Sequence, residues 1–373
     1  MIRVLHVVTS MDMGGLENRI MDIYRHIDRN VVQFDFLVHR NVKGFFDDEI
    51  ENMGGKIFRI CKLTPATMIF QYNNVLKCFF KEHQEYKIVH AHLNSLSFYV
   101  LRAAQRAQIP VRIAHSRTSG LKLDTKYFIK LFAKYRIKKY ATNLFACSDD
   151  AGKWLFGHKQ FALGSIDIIN NAIEADKYIY DKIKRDIIRD NLNLSNKFVV
   201  GHVGSMRYEK NHMFIIDIFS EILKQVDNSI LILVGDGPLR DKVNEKISKL
   251  NLTDKVIFTG IRTDVNILMQ AFDVFLFPSI FEGFGTVLVE AQASGLKCFT
   301  STKVPRYTNI TNLVTFMNLD RSPKEWAKEI VQSSLNYYRE NTINKVISAG
   351  FEINNVAKDL QNKYMRLGEN IDK

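Results

Sequence analysis

Two glutamates and two cations, each following a strand-like run and a glycine turn, are the residues of this 373-residue chain best placed for chemistry. Residues 273–277 read as a strand ending at Pro278. Ser279-Ile280-Phe281-Glu282-Gly283-Phe284-Gly285-Thr286 then forms a loop that opens into a helix carrying Glu290. Such a junction offers free backbone N–H groups and the positive end of a helix dipole to an anion or to sugar hydroxyls. Carboxylates suit hydroxyls as acceptors, and nucleotide sugars have hydroxyls on both sugar and ribose. Glycosidase pairs stand about 5 Å apart when retaining and about 6.5–9.5 Å when inverting. Eight helical residues rise about 12 Å, so Glu282 and Glu290 fit two separate binding contacts better than one acid–base pair. A surface Glu and an unrelated helical Glu are the plainer alternative for the two residues taken alone.

The second segment is Gly201-His202-Val203-Gly204-Ser205-Met206-Arg207-Tyr208-Glu209-Lys210-Asn211-His212, again strand, glycine turn and helix. Arg207 and Lys210 would direct two positive charges at a diphosphate near a helix N-terminus. Gly14-Gly15 after the first strand is the matching turn near the N-terminus, with Leu16-Glu17 opening a helix. It lacks the G-x-G-x-x-G spacing of a dinucleotide site, and Gly235-Asp236-Gly237-Pro238 lacks it too, because Arg240 stands at the third glycine position. His115, His90 and His92 end strand-like runs, although lone histidines are more often packing residues than catalysts. The sequence shows no clustered His/Asp ligand spacing and no D-x-D, so a metal-bridged diphosphate is not expected.

The elements that must position these residues alternate along the chain. Strands are expected at 3–9, 33–38, 56–60, 87–91, 111–115, 143–147 and 166–169. A second set is expected at 198–203, 230–234, 256–259, 274–277 and 298–300, with helical patterns such as 16–26 and 213–224 between them. The alternation implies an α/β fold of two doubly wound, Rossmann-like domains with a ligand cleft at the carboxyl ends of their sheets. The polar stretch 170–180 reads as the connection. The expected domains are 1–170, completed by a final helix within 351–373, and 175–350.

The composition, 46% hydrophobic and 25% charged, is that of an ordinary globular protein. Four scattered cysteines without a C-x-x-C pair suit reduced thiols. The chain opens directly into a strand-like run, with no basic region followed by an apolar one, and a cytoplasmic protein is expected. The formal charge is +12, and residues 1–174 hold 25 Lys and Arg against 16 Asp and Glu. Within 121–139, Lys122, Lys126, Lys130, Lys134 and Lys138 recur every four residues beside Arg136 and Lys139, with Phe128, Leu131, Phe132 and Tyr135 as the apolar positions. This reads as a basic amphipathic helix lying peripherally on an anionic membrane, or as a solvated face over a core stripe. Nucleic acid is not an expected partner, since no recognised module accompanies the charge.

Taken together, Gly14-Gly15-Leu16-Glu17, Arg112-Ile113-Ala114-His115-Ser116, residues 201–212, Gly235-Asp236-Gly237-Pro238-Leu239 and residues 281–290 resemble the retaining family 4 glycosyltransferases of GT-B fold, especially bacterial capsule and exopolysaccharide enzymes. The resemblance implies transfer of a sugar from a nucleotide-diphosphate donor, with UDP the most frequent nucleotide, to a lipid-linked or saccharide acceptor. It implies that Arg207 and Lys210 neutralise the leaving diphosphate, with Gly15 approaching it. Glu290 would hold the ribose and Glu282 the donor sugar, with Phe284, Gly285 and Thr286 lining that pocket. His115 would contact the sugar or the reacting centre. No cofactor is implied beyond the donor itself. The chain departs from the family at Lys297, where many members have proline, and at Lys303-Val304-Pro305-Arg306, where a Gly-Gly turn is common. A nucleotide-sugar epimerase of the same fold and an inactive scaffold in a polysaccharide assembly complex are the rival readings.

Overall fold

The computed structural model describes residues 1–64, 66–67, 71–118, 120 and 124–369. It separates into two units, one formed by Met1–Ala172 with Ile353–Lys373 and the other by Ile173–Glu352.

The first unit holds seven strands: β1 Ile2–Val8, β2 Val32–Val38, β3 Ile57–Arg59, β4 Ile88–Ala91, β5 Val111–Ser116, β6 Asn143–Ala146 and β7 Ile166–Ile168. They pair in parallel in the order β3-β2-β1-β4-β5-β6-β7. Every residue of β2 and β4 is buried, the pattern of strands covered on both faces. One face packs on the helices Tyr72–Glu82 and Ser97–Arg106 through Leu76, Phe80, Phe98 and Leu101. The other packs on Gly15–His26 and on the C-terminal helix Ile353–Glu369 through Ile20, Tyr24, Ala357, Leu360 and Tyr364. Fully buried Asp35 is neutralised by Arg3 in two bonds of 2.6 and 2.7 Å, and also accepts from Tyr86 Oη at 2.7 Å. Lys56 N adds a fourth bond at 2.7 Å, and a carboxylate buried there needs such partners.

The second unit holds β8 Phe198–Val203, β9 Ser229–Val234, β10 Val256–Gly260, β11 Val274–Phe277, β12 Lys297–Ser301 and β13 Val314–Met317. Their order is β10-β9-β8-β11-β12-β13, all parallel. Both sheets therefore reverse direction of growth beside their first strand, the doubly wound arrangement whose ligands bind at that switch point. The helix Pro323–Ser334 is stopped from fraying by a full capping box between Ser322 and Glu325 and by Pro at its start, and it buries Trp326.

The basic segment differs from expectation. Its described helix spans Tyr127–Arg136, followed by a tight turn Ile137–Lys139, and Lys122 lies outside the described residues. Of the described lysine column only Lys138 is exposed, and Lys126, Lys130 and Lys134 are partly buried. Lys126 Nζ donates to Leu63 O at 2.5 Å, Lys130 pairs with Asp124 at 2.5 Å, and Lys134 sits 4.8 Å from the Trp154 ring. The aromatic positions are the ones in solvent, with Phe128 82%, Phe132 54% and Tyr135 77% exposed. Ala133, Ile137 and Ile129 supply the core contact instead. No described helix is long and apolar enough to cross a membrane.

Gly201 shows how tightly the second sheet is packed: a Cβ there would lie 2.1 Å from Cδ2 of fully buried Phe272. Gly201→Ala is expected to destabilise by about 1–3 kcal/mol, read as a fall of several degrees in Tm. An unchanged Tm contradicts this packing.

Candidate functional site

In the second unit the loops after β8 and β11 stand side by side because those strands are neighbours in the sheet. Ile280 N donates to Glu209 O at 2.8 Å and Asn211 Nδ2 to Pro278 O at 3.2 Å, tying the two loops together. Lys210 Nζ donates to Glu282 Oε1 at 2.6 Å and stands 4.6 Å from the Phe277 ring centroid. Two residues 72 positions apart thus form one charged pair whose side chains are 20% and 11% exposed. Arg207 lies on the same loop, exposed and without an ion pair among the described residues. Glu290 is buried in the helix Thr286–Ala293.

The glycines have separable reasons. A Cβ on Gly235 would come 2.3 Å from Gly204 O, and one on Gly237 would come 2.8 Å from Met206 N. The Gly235-Asp236-Gly237-Pro238 turn is therefore a close backbone support for the Arg207 loop, to which Met206 N also bonds through Asp236 O at 2.9 Å. Gly285, at φ +79°, is the left-handed residue just before Thr286 and brings no side-chain cap. Asn211 before His212–Leu223 and Gly14 before Gly15–His26 likewise make no side-chain cap bond. At the start of Gly15–His26 the Glu17 carboxylate itself folds back toward Gly14 and accepts from its own backbone N–H. Around Gly15 there is open space, since a Cβ would meet nothing within 4 Å.

The Phe284 side chain, expected to line a sugar pocket, packs inward. Its ring is 4% exposed and stacks on Phe351 at 5.3 Å and on Tyr307 at 5.8 Å, within an apolar cluster with Val289 and Val346. Its side chain anchors the loop, leaving only its backbone for a ligand. Beneath Lys210, buried His202 and His212 meet edge to face at 4.8 Å. Burial, with Lys210 adding repulsion, lowers His212 to about 4, and burial holds His202 well below the ordinary range.

In the first unit the parallel register assembles a histidine layer that sequence spacing did not announce. His6 pairs with His90 across β1 and β4, and His115 ends β5. His6 Nδ1 is 2.9 Å from His92 Nε2, and His90 Nε2 is 2.9 Å from His115 Nδ1. His115 is fully buried. His6, His90 and His92 bring ligand atoms within 4.8 Å of one another, a separation a transition metal could gather. Arg117 opposes that use. It donates to His92 Nδ1 from Nε at 3.3 Å, whereas a metal-bound imidazole donates its second N–H outward, and its fixed charge repels a cation. The signal for this layer was available only as histidines at corresponding depths of successive parallel strands.

Two family models match the chain: Glycosyltransferase Family 4 over residues 13–177 and Glycosyl transferases group 1 over residues 184–335. The chain is 34% identical over 346 residues to the putative glycosyltransferase EpsF of Bacillus subtilis, covering 89% of this chain and 88% of that one. It is 26% identical to the capsular polysaccharide biosynthesis glycosyltransferase CapH of Staphylococcus aureus, covering 98% and 99%. Among solved structures it is similar to HepE of Anabaena, crystallised with UDP and glucose, at a TM-score of 0.71 and 19% identity over 100% of this chain and 98% of that one.

The buried histidines set a pH dependence. Burial lowers His6 to about 3 and His39 to about 4, against an ordinary 6.5. The unfolded chain therefore binds protons that the folded chain refuses. Their stabilisation is complete above pH 6.5 and is lost as pH falls toward 4, at about 1 kcal/mol per histidine per pH unit. Urea midpoints at pH 7.5 and pH 5 are expected to show the lower stability at pH 5. Equal midpoints contradict neutral burial.

Proposed function

The chain belongs to the family 4 glycosyltransferases of GT-B fold, and from that premise we propose that it is a retaining enzyme of surface-polysaccharide synthesis using a UDP-sugar donor. The observation that carries the donor reading is the Lys210–Glu282 pair beside exposed Arg207, set among helix ends without side-chain caps. An ammonium has three donors. Lys210 can keep Glu282 and still meet a diphosphate oxygen, and Arg207 supplies the second cation. Glu282 would accept from sugar hydroxyls, Glu290 from the ribose, and Gly285 and Thr286 would offer backbone N–H groups.

In the proposed step the bond from the anomeric carbon to the diphosphate breaks, and the acceptor oxygen bonds to that carbon on the same face. The acceptor proton passes to the departing phosphate oxygen. Preorganised cations stabilise the charge that develops there. No protein nucleophile, metal or other cofactor is part of this reading. The UDP choice is supported by the ligands of HepE and by a relative in Escherichia coli, 24% identical, described as a UDP-Gal:alpha-D-GlcNAc-diphosphoundecaprenol alpha-1,3-galactosyltransferase. That relative also supports a lipid-linked acceptor.

For the acceptor side we propose peripheral contact with the anionic inner face of the plasma membrane through the described part of 121–139. Exposed Phe128, Phe132 and Tyr135 would insert, with Arg136, Lys138 and Lys139 beside them for lipid phosphates.

Two measurements test these readings. A thermal-shift panel of UDP-glucose, UDP-galactose, UDP-N-acetylglucosamine, GDP-mannose and ADP-glucose is expected to single out a UDP-sugar. A ligand at 100 Kd stabilises by about 2.7 kcal/mol, and Lys210→Ala and Arg207→Ala should each abolish that shift. A panel in which only GDP-mannose or ADP-glucose stabilises the fold refutes the UDP assignment. In cosedimentation, the triple variant Phe128→Ser, Phe132→Ser, Tyr135→Ser is expected to lose binding to phosphatidylglycerol vesicles at unchanged Tm. Equal binding by the variant rejects the membrane face.

A further inference from the structure

The four histidines of the first unit have hydrogen bonds whose directions can be assigned. Burial keeps all four rings neutral, and a neutral imidazole has one donor nitrogen and one acceptor. Arg117 has only donors, so His92 Nδ1, 3.3 Å from Nε and 3.2 Å from Nη2, must accept. His92 then carries its hydrogen on Nε2 and donates it to His6 Nδ1, which leaves the hydrogen of His6 on Nε2.

The second pair is set from the C-terminal helix Ile353–Glu369. Tyr364 Oη lies 2.6 Å from His90 Nδ1, and burial keeps the phenol protonated. Each direction of this chain leaves one buried hydrogen without an acceptor among the described residues, that of Tyr364 Oη or that of His115 Nε2, and on the reading of His115 as a substrate contact only the second is relieved, by a substrate oxygen. The phenol therefore donates to His90 Nδ1, His90 Nε2 donates to His115 Nδ1 at 2.9 Å, and His115 carries its hydrogen on Nε2. Both chains of bonds end on a buried nitrogen without a partner among the described residues, His6 Nε2 and His115 Nε2.

We propose that Tyr364 is a positioning residue for His115: acting through His90, it fixes the Nε2–H tautomer, so that His115 meets an oxygen of the substrate as a hydrogen-bond donor and not as a base. This rests on the reading of His115 as a contact to the sugar or the reacting centre. A buried N–H without an acceptor is unfavourable, and a substrate hydroxyl or phosphate oxygen is an acceptor that relieves it. No proton is transferred. The opposite tautomer would present a lone pair at the same atom, which repels a phosphate oxygen and can only accept from a hydroxyl.

Long-range proton–nitrogen correlation spectra of protein labelled with 15N-histidine, taken at pH 8, report which ring nitrogen is protonated. The His115 signal is identified by its loss in His115→Gln. The expected result is hydrogen on Nε2 in the unaltered protein and a mixture of tautomers in Tyr364→Phe. UDP release, measured with UDP-glucose, UDP-galactose and UDP-N-acetylglucosamine, should fall in kcat by about two- to tenfold in Tyr364→Phe, with KM little changed. Hydrogen on Nδ1 of His115 in the unaltered protein overturns the relay, and this spectrum decides even if Tyr364→Phe does not fold. An unchanged tautomer in a folded Tyr364→Phe overturns the role of Tyr364. The expected tautomers combined with unchanged turnover in His115→Gln overturn the substrate contact while leaving the relay standing, which separates failure of the proposal from failure of the reading beneath it.

Discussion

Parallel pairing beside the first strand of each sheet is the constraint on which the remaining features depend. Strands that all point one way deliver all their carboxyl-end loops to one edge, and the reversal of order there makes neighbours of strands distant in sequence. In the second unit this brings the loop after β8 against the loop after β11, and Lys210 against Glu282. In the first unit it sets β1 beside β4 and β4 beside β5, which stacks His6, His90, His92 and His115 into one layer. Neither grouping needs a special local sequence. Register does the assembly.

The same constraint explains what could be read from the sequence. Strands buried on both faces must be apolar throughout, and runs such as Val274–Phe277 and Phe198–Val203 declare themselves. β13 escaped because Val314–Met317 is a four-residue edge strand, two of whose residues are only partly buried, in a polar stretch. The glycine loops were legible as loops, since strand-to-helix junctions need those residue types. Their internal contacts were not. The family resemblance implies Phe284 as pocket lining, whereas its ring fills an apolar cluster with Tyr307 and Phe351. Helical spacing in 121–139 presents the lysines as the membrane-facing or solvated side and the aromatics as the apolar positions beneath, yet long stems let Lys126 and Lys134 fold back onto a carbonyl and an indole while shorter-reaching aromatics point outward.

Glycines divide along a similar line between support and reserve. Gly201, Gly235 and Gly237 are required by neighbours already present, whether a phenyl ring or another turn. Gly15 has no such neighbour. Packing accounts for the first three.

Each unit also sets a fixed cation above neutral imidazoles: Arg117 over His92 and His6, and Lys210 over His202 and His212. Burial is the larger cause of neutrality in every case, and the cation deepens it. The consequence is electrostatic. Imidazoles that cannot ionise do not compete with the cation for an anion, and in the first unit His92 Nδ1 also orients it by accepting from Arg117. Positive charge is thereby confined to a few side chains whose positions the sheet determines, above a layer that adds none.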